Sequence, residues 1–228
     1  MKVLLFGATG MVGQGVLRAC LEAPDVEGVT TVGRSAPAVR HPKLHDVVRK
    51  DLFDLGAIAA ALHPFDACFF CLGVSSIGMD EATYSRLTYD LTIAIAGPLA
   101  RLNPQMTFVY VSGTGTDSSE HGKSMWARVK GRTENALLRM PFKAVFLFRP
   151  GVMQPVAGTH SKVVLYNAIY AVIGPAMRLL ETLRPGSLLT TKGIGIAMLE
   201  VARHGAARAV IEADDLKALV RRSAPHEA

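Results

Sequence analysis

The stretch Phe6-Gly7-Ala8-Thr9-Gly10-Met11-Val12-Gly13 joins an apolar run to a helix-forming run through three glycines set three residues apart. Val3, Leu4, Leu5 and Phe6 have the unbroken apolar character of a strand buried on both faces, as the central strand of a parallel sheet must be. Each glycine then has its own task. Gly7 permits a tight turn, Gly10 lets a pyrophosphate approach bare backbone, and Gly13 lets the following helix close on the strand. The free N–H groups at that helix start, around Thr9, Met11 and Val12, point toward the phosphates. A glycine triplet alone is a weak signal. Here it gains weight from the strand before it and the helix-forming residues 16–23 after it. The stretch reads as a dinucleotide cradle.

The next strand, Val29-Thr30-Thr31-Val32, runs into Gly33-Arg34-Ser35 about twenty residues past the cradle, where the adenosine ribose should lie. An acidic residue at this place would accept hydrogen bonds from both ribose hydroxyls and favour NAD(H). Arg34 instead suits the extra phosphate of NADP(H), with Ser35 as a second donor. The expected cofactor is NADP(H), with NAD(H) as the second choice. A solvated surface arginine is the plain alternative.

Of the 228 residues, 50% are hydrophobic and 19% charged, which excludes wholesale disorder and allows a full hydrophobic core. The net charge of +6 suits anionic cofactors. No basic stripe with interleaved aromatics accompanies it, so nucleic acid is not an expected partner. The densest basic run, residues 34–50, lies beside the expected adenosine site and reads as loop and phosphate environment. The first apolar run is broken at Gly7, before it reaches signal-core length, and the longest uncharged run, 163–177, is too short to span a bilayer. A soluble cytoplasmic protein is the expectation. Cys68 and Cys71 have C-x-x-C spacing but fall on one strand, where residues three apart point to opposite faces. Buried reduced thiols fit better than a redox pair or zinc site. His41 and His45 straddle Pro42 and read as surface residues, so no metal site is expected.

Strand and helix alternate along the chain. Strands are expected at 46–49, 67–72, 107–112 and 144–148, and helices at 55–62, 81–102 and 125–139, with Pro98 kinking or shortening the second. With the first two strands this makes six, the count of a Rossmann doubly wound parallel sheet with helices on both faces. Past Pro150 the pattern is helical at 162–183, at 192–202 and from 214 onward. That is too little for a second fold, so the expectation is one NAD(P)-binding domain over 1–228 with a small helical C-terminal cap, 153–190 covering the substrate side. Tyr166, Tyr170, Met177 and Leu180 are candidates to line an apolar pocket there, with plain core packing or a homodimer contact as the other readings.

On these residues the chain resembles an atypical or extended short-chain dehydrogenase/reductase, of the small epimerase/dehydratase-like or NmrA-like group. The Gly7, Gly10, Gly13 spacing is similar to that of these branches. The resemblance implies that Asp51-Leu52 holds the adenine and that Cys71-Leu72-Gly73 passes the cofactor's ribose. It also implies that Ser112, in Val111-Ser112-Gly113, is the active-site serine, and that Pro150-Gly151-Val152 closes over the nicotinamide.

One departure stands out. The family carries Y-x-x-x-K on the helix after the fifth strand, and the corresponding residues here are Trp126-Ala127-Arg128-Val129-Lys130. Lys130 matches the lysine that binds the nicotinamide ribose; Trp126 replaces the tyrosine acid. An indole N–H donates a hydrogen bond but does not exchange a proton usefully near neutral pH. The proton must then come from another group, and Tyr84, Tyr89, Asp117, His121 and an ordered water are the candidates. Two functions fit this pattern. One is an NADP(H)-dependent oxidoreductase on an unidentified small carbonyl or alcohol, with epimerase/dehydratase chemistry as its weaker variant. The other is a catalytically silent NADP(H) sensor read by a partner.

Overall fold

The structure is a computed structural model, which describes residues 1–151, 153–154 and 189–223. Its main sheet has seven parallel strands: β1 (Lys2–Phe6), β2 (Gly28–Gly33), β3 (Leu44–Val48), β4 (Ala67–Phe70), β5 (Thr107–Val111), β6 (Ala144–Arg149) and β9 (Val210–Glu212). They run in the order β3-β2-β1-β4-β5-β6-β9. Two short strands, β7 (Met153–Gln154) and β8 (Leu189–Thr190), pair with each other in a separate parallel ribbon. This is a Rossmann-type doubly wound sheet, as the alternating pattern predicts.

Strand alternation sorts the apolar run at the start of the chain onto two faces. Val3 and Leu5 join a core with Ala67, Phe69 and Val109, covered by α1 (Met11–Glu22), α5 (Thr191–His204) and α6 (Ala213–Ser223). Leu4 and Phe6 join the opposite core with Cys68, Phe70, Phe108 and Tyr110, against α3 (Leu91–Leu102) and α4 (Met125–Leu138). In this second core the Phe70 ring is surrounded by those of Phe6, Phe108 and Tyr110, with centroids 5.7–5.9 Å from its own. Cys68 faces this core while Cys71 packs against the first, so the two thiols lie on opposite sides of the sheet.

Several element boundaries differ from the expectation. Residues 56–62 form a 3-10 helix, Gly56–Leu62, in which Leu62 is buried and Ile58 packs against the second core. The helix expected over 81–102 is α2 (Glu81–Ser85), a π-turn at Arg86–Asp90 and then α3, which continues through Pro98. The third strand begins at Leu44, inside the basic run expected to be loop. The strand count is also higher than six. The seventh strand, β9, is three residues of an edge, too short for its alternation to register. The candidate lid residues Tyr166, Tyr170, Met177 and Leu180 lie outside the described residues, as does Val152.

Candidate active site

At the carboxyl end of the sheet the strand order reverses between β1 and β4, which is where open α/β sheets take their ligands. Gly7 adopts φ +84°, and a Cβ there would lie 2.7 Å from the Cys71 carbonyl carbon and oxygen. A Cβ on Gly13 would lie 2.0 Å from the Gly7 carbonyl oxygen, so only glycine lets α1 start this close to β1. Gly10 caps α1 in an extended conformation and donates its N–H to the Gly7 carbonyl at 3.0 Å. The cradle is therefore shaped by backbone alone, and Met11 and Val12 form the first turn of the helix.

Beside the cradle is a cavity of about 310 Å³, lined by Gly7, Ala8, Thr9, Thr31, Val32, Gly33, Arg34, Ser35, Leu52 and Leu72. Sequence reasoning placed Gly7, Thr9, Arg34, Ser35, Leu52 and Leu72 at the nucleotide, and here they share one wall system. Arg34 is exposed and, among the described residues, makes no hydrogen bond or ion pair. Two other cations of the basic run are engaged locally, Arg40 with Asp46 and Arg49 with Asp54. Asp51 does not line the cavity, and its carboxylate accepts the Phe53 N–H at 2.9 Å in a local turn. Cys71 contributes backbone packed against Gly7, and a Cβ added at Gly73 would meet nothing within 4 Å.

The second half of the site is built on β5, α4 and the end of β6. Ser112 is buried, and its N–H donates to the Phe148 carbonyl at 2.7 Å, extending the strand pairing one residue past β5. Its Oγ lies 2.9 Å from the Thr116 Oγ1, which itself donates to the Gly113 carbonyl at 2.7 Å. A hydroxyl has a single proton, so while Thr116 donates to the Gly113 carbonyl, Ser112 is the donor of this pair. Pro150 is buried and accepts the Thr114 N–H at 3.2 Å, which ties the segment after β6 to the loop after β5.

Trp126, Lys130 and Glu134 stand four residues apart on α4, forming one stripe along the helix. The half-buried indole of Trp126 sits over the turn after β5, its ring 3.5–4.0 Å from where Cβ atoms on Gly113 and Gly115 would be. Lys130 Nζ lies 5.4 Å from the centroid of the Tyr110 ring. Burial pushes the Lys130 ammonium down to about 8, opposed by the Glu134 carboxylate. Glu134 is only 1% exposed and is held through both its oxygens by Arg149, by Nε at 3.0 Å and by Nη2. Arg149 also reaches Glu212 at 3.2 Å and Ser118 Oγ at 2.6 Å, joining α4, β6, β9 and the loop after β5. Nothing in the sequence pattern pointed to Glu134; its spacing of four from Lys130 was the available sign.

Of the four candidate side-chain proton donors, two are packed against other groups and two lie in the loop after β5. Tyr84 is 2% exposed in the core. Tyr89 is covered by the Arg132 guanidinium, 3.9 Å above its ring. The Asp117 carboxylate accepts from Ser119 and Gly122, and those bonds hold it below the usual carboxylate range. His121 is exposed in the same loop. Among the described residues no cluster of three or more His, Cys, Asp or Glu could hold a metal, and no helix is long and apolar enough to cross a membrane.

Comparison with known proteins agrees with this geometry. The sequence profile of the NAD dependent epimerase/dehydratase family matches residues 3–123, more than half of the chain. The chain is 28% identical over 171 residues to the mitochondrial protein fmp52-2 of Aspergillus terreus, covering 72% of each. It is 28% identical over 155 residues to the mitochondrial protein FMP52 of Meyerozyma guilliermondii, covering 67% of this chain and 65% of the relative. Its fold is similar to that of WbmF from Bordetella bronchiseptica, solved in complex with NAD+, with a TM-score of 0.65 at 15% identity, over all of this chain and 79% of that one. These relatives are named as mitochondrial proteins, which overturns the expectation of a cytoplasmic one.

Proposed function

Since this chain belongs to the NAD dependent epimerase/dehydratase family, we propose that it binds NADP(H) and acts as an oxidoreductase on a small carbonyl or alcohol. The observation that carries this reading is the cavity at the strand-order switch, with the bare-backbone cradle of Gly7 and Gly13 on one side and the unpaired Arg34 on the other. The cradle fits a pyrophosphate because any side chain at those glycines would strike backbone. Arg34 and Ser35 would take the 2′-phosphate through charge-assisted hydrogen bonds, which favours NADP(H) over NAD(H). Leu52 and Leu72 offer apolar walls to the adenosine.

When bound, the cofactor supplies hydride chemistry at its nicotinamide. The chain's own part is positional and electrostatic. Lys130 would hold the nicotinamide ribose, Pro150, Gly151 and Val152 would close over the ring, and Ser112 would accept a hydrogen bond from the substrate hydroxyl. Trp126 would shield the site from water on the α4 side. The silent sensor reading draws on the same replacement of tyrosine by Trp126, but a sensor has no use for a buried Ser112 on the strand face that carries Tyr110 and, over it, the Lys130 amine, so the enzyme is preferred. A substrate-side cap over 153–190 is part of this proposal.

Calorimetric titration with NADPH and with NADH tests it. NADPH should bind at least about tenfold tighter, and Arg34→Ala should remove that preference while changing NADH affinity by less than about threefold. Equal losses for both nucleotides would take Arg34 out of the phosphate site, and no binding of either would end the reading.

A further inference from the structure

We propose that Lys130 is itself the acid that hands a proton to the substrate oxygen, poised for this by an Arg149–Glu134 pair that withholds the neighbouring carboxylate from it. The inference rests on the cofactor reading above and adds the group that completes the reaction.

Tyr110 and Ser112 are two apart on one extended strand, so their side chains leave the same face of the sheet about 7 Å from each other. Lys130 Nζ stands over the Tyr110 ring, on the stripe that begins with Trp126 above the turn after Ser112. The lysine amine thus lies along the same wall as the serine. The charged and titratable groups around it are few. From β5 comes the Tyr110 phenol, driven upward by burial and bonded to Thr133 and Thr92, and behind it the buried Tyr84 of α2. From α4 comes Glu134, and from β6 Arg149, which occupies Glu134. Among the described residues no carboxylate pairs with Lys130.

This arrangement has a chemical consequence. A lysine paired with a carboxylate is a permanent cation, whereas one desolvated without such a pair gives up its proton more readily, even with an aromatic face beside it. Its ammonium carries three N–H donors, so one can hold a ribose hydroxyl while another meets the substrate. In the reducing direction the carbonyl carbon gains the hydride pair from the reduced nicotinamide, and the C=O π pair moves to oxygen. The Lys130 N–H bond breaks as the new O–H bond forms, leaving a neutral amine that regains a proton from solvent. Atoms and charge balance with no further reactant.

Two measurements on the full chain test this. Trace acetylation with acetic anhydride, read residue by residue by mass spectrometry across pH, should give Lys130 a midpoint of about 8, while surface lysines titrate near about 10.4. This readout needs no cofactor. Reduction of a panel of aldehydes and ketones with NADPH should then fall as pH rises through the same midpoint. Lys130→Arg keeps the cation but not the exchangeable proton, so NADPH affinity should stay within about threefold while turnover drops about a hundredfold or more. Lys130→Met gives a second variant free of the buried charge, and should be as inactive. A labelling midpoint above about 10, or Lys130→Arg turnover within a few-fold of wild type with the alkaline limb intact, overturns the assignment. So does a wild-type protein that binds NADPH yet reduces nothing in the panel. Failure to bind nucleotide at all shows first in the calorimetry and defeats the underlying reading separately.

Discussion

Replacing Lys130 by methionine should stabilise the protein at neutral pH, and the gain should fade in alkali. The folded state lowers the Lys130 value from 10.5 to about 8, chiefly by burial. Between those two values the unfolded chain binds more protons than the folded one, so stability rises with pH across that window, and the full cost is carried below it. At about 1.4 kcal/mol per unit, holding the ammonium in the fold costs about 3 kcal/mol at pH 7 and less than about 1 kcal/mol at pH 10. Methionine has a similar length and no charge, and it also forfeits the cation over the Tyr110 ring, worth about 1 kcal/mol. The net gain at pH 7 is therefore about 2 kcal/mol, with a pH-dependent part of about 2.5 kcal/mol between pH 7 and 10. Urea unfolding of both proteins at the two pH values measures it, and taking the difference cancels every other titrating group. A difference that does not change with pH would show that Lys130 is not desolvated and would refute the reasoning.

Gly13→Ala places a Cβ 2.0 Å from the Gly7 carbonyl oxygen; the overpacking should cost about 1–3 kcal/mol in urea unfolding and abolish nucleotide binding in calorimetry. Arg149→Met leaves Glu134, 1% exposed, without its partner; a loss of about 3–5 kcal/mol is expected, and the double change Arg149→Met with Glu134→Leu should recover most of it. Thr88 in the π-turn buries a hydroxyl with no partner among the described residues. Thr88→Val should consequently be neutral or stabilising by about 1 kcal/mol, and a clear destabilisation in the same assay would mean that the hydroxyl has a bonding role.

The readable parts of this protein were those governed by local rules. The glycine spacing, the apolar run of β1 and the Arg34 position each follow from what one turn or one strand end requires, and the structure brings Gly7, Thr9, Arg34, Ser35, Leu52 and Leu72 around one cavity. The opposite orientation of Cys68 and Cys71 follows from strand alternation in the same way. The errors have equally local causes. A three-residue edge strand such as β9 carries too few residues for a period to emerge, and a π-turn keeps the apolar spacing of the helix around it.

Contiguous residues record six of the seven main-sheet strands, the glycine turn between β1 and α1, and a tryptophan at the place where the resembled family carries tyrosine, because each is a matter of local spacing. How the second half of the candidate site is charged follows from packing between distant segments. Glu134, Arg149, Glu212 and Ser118 come from four separate stretches, and their joining depends on α4 packing against β5 and β6. The same packing desolvates Lys130 over Tyr110. A side chain's proton affinity is set by what surrounds it in space, and no spacing along the chain records that.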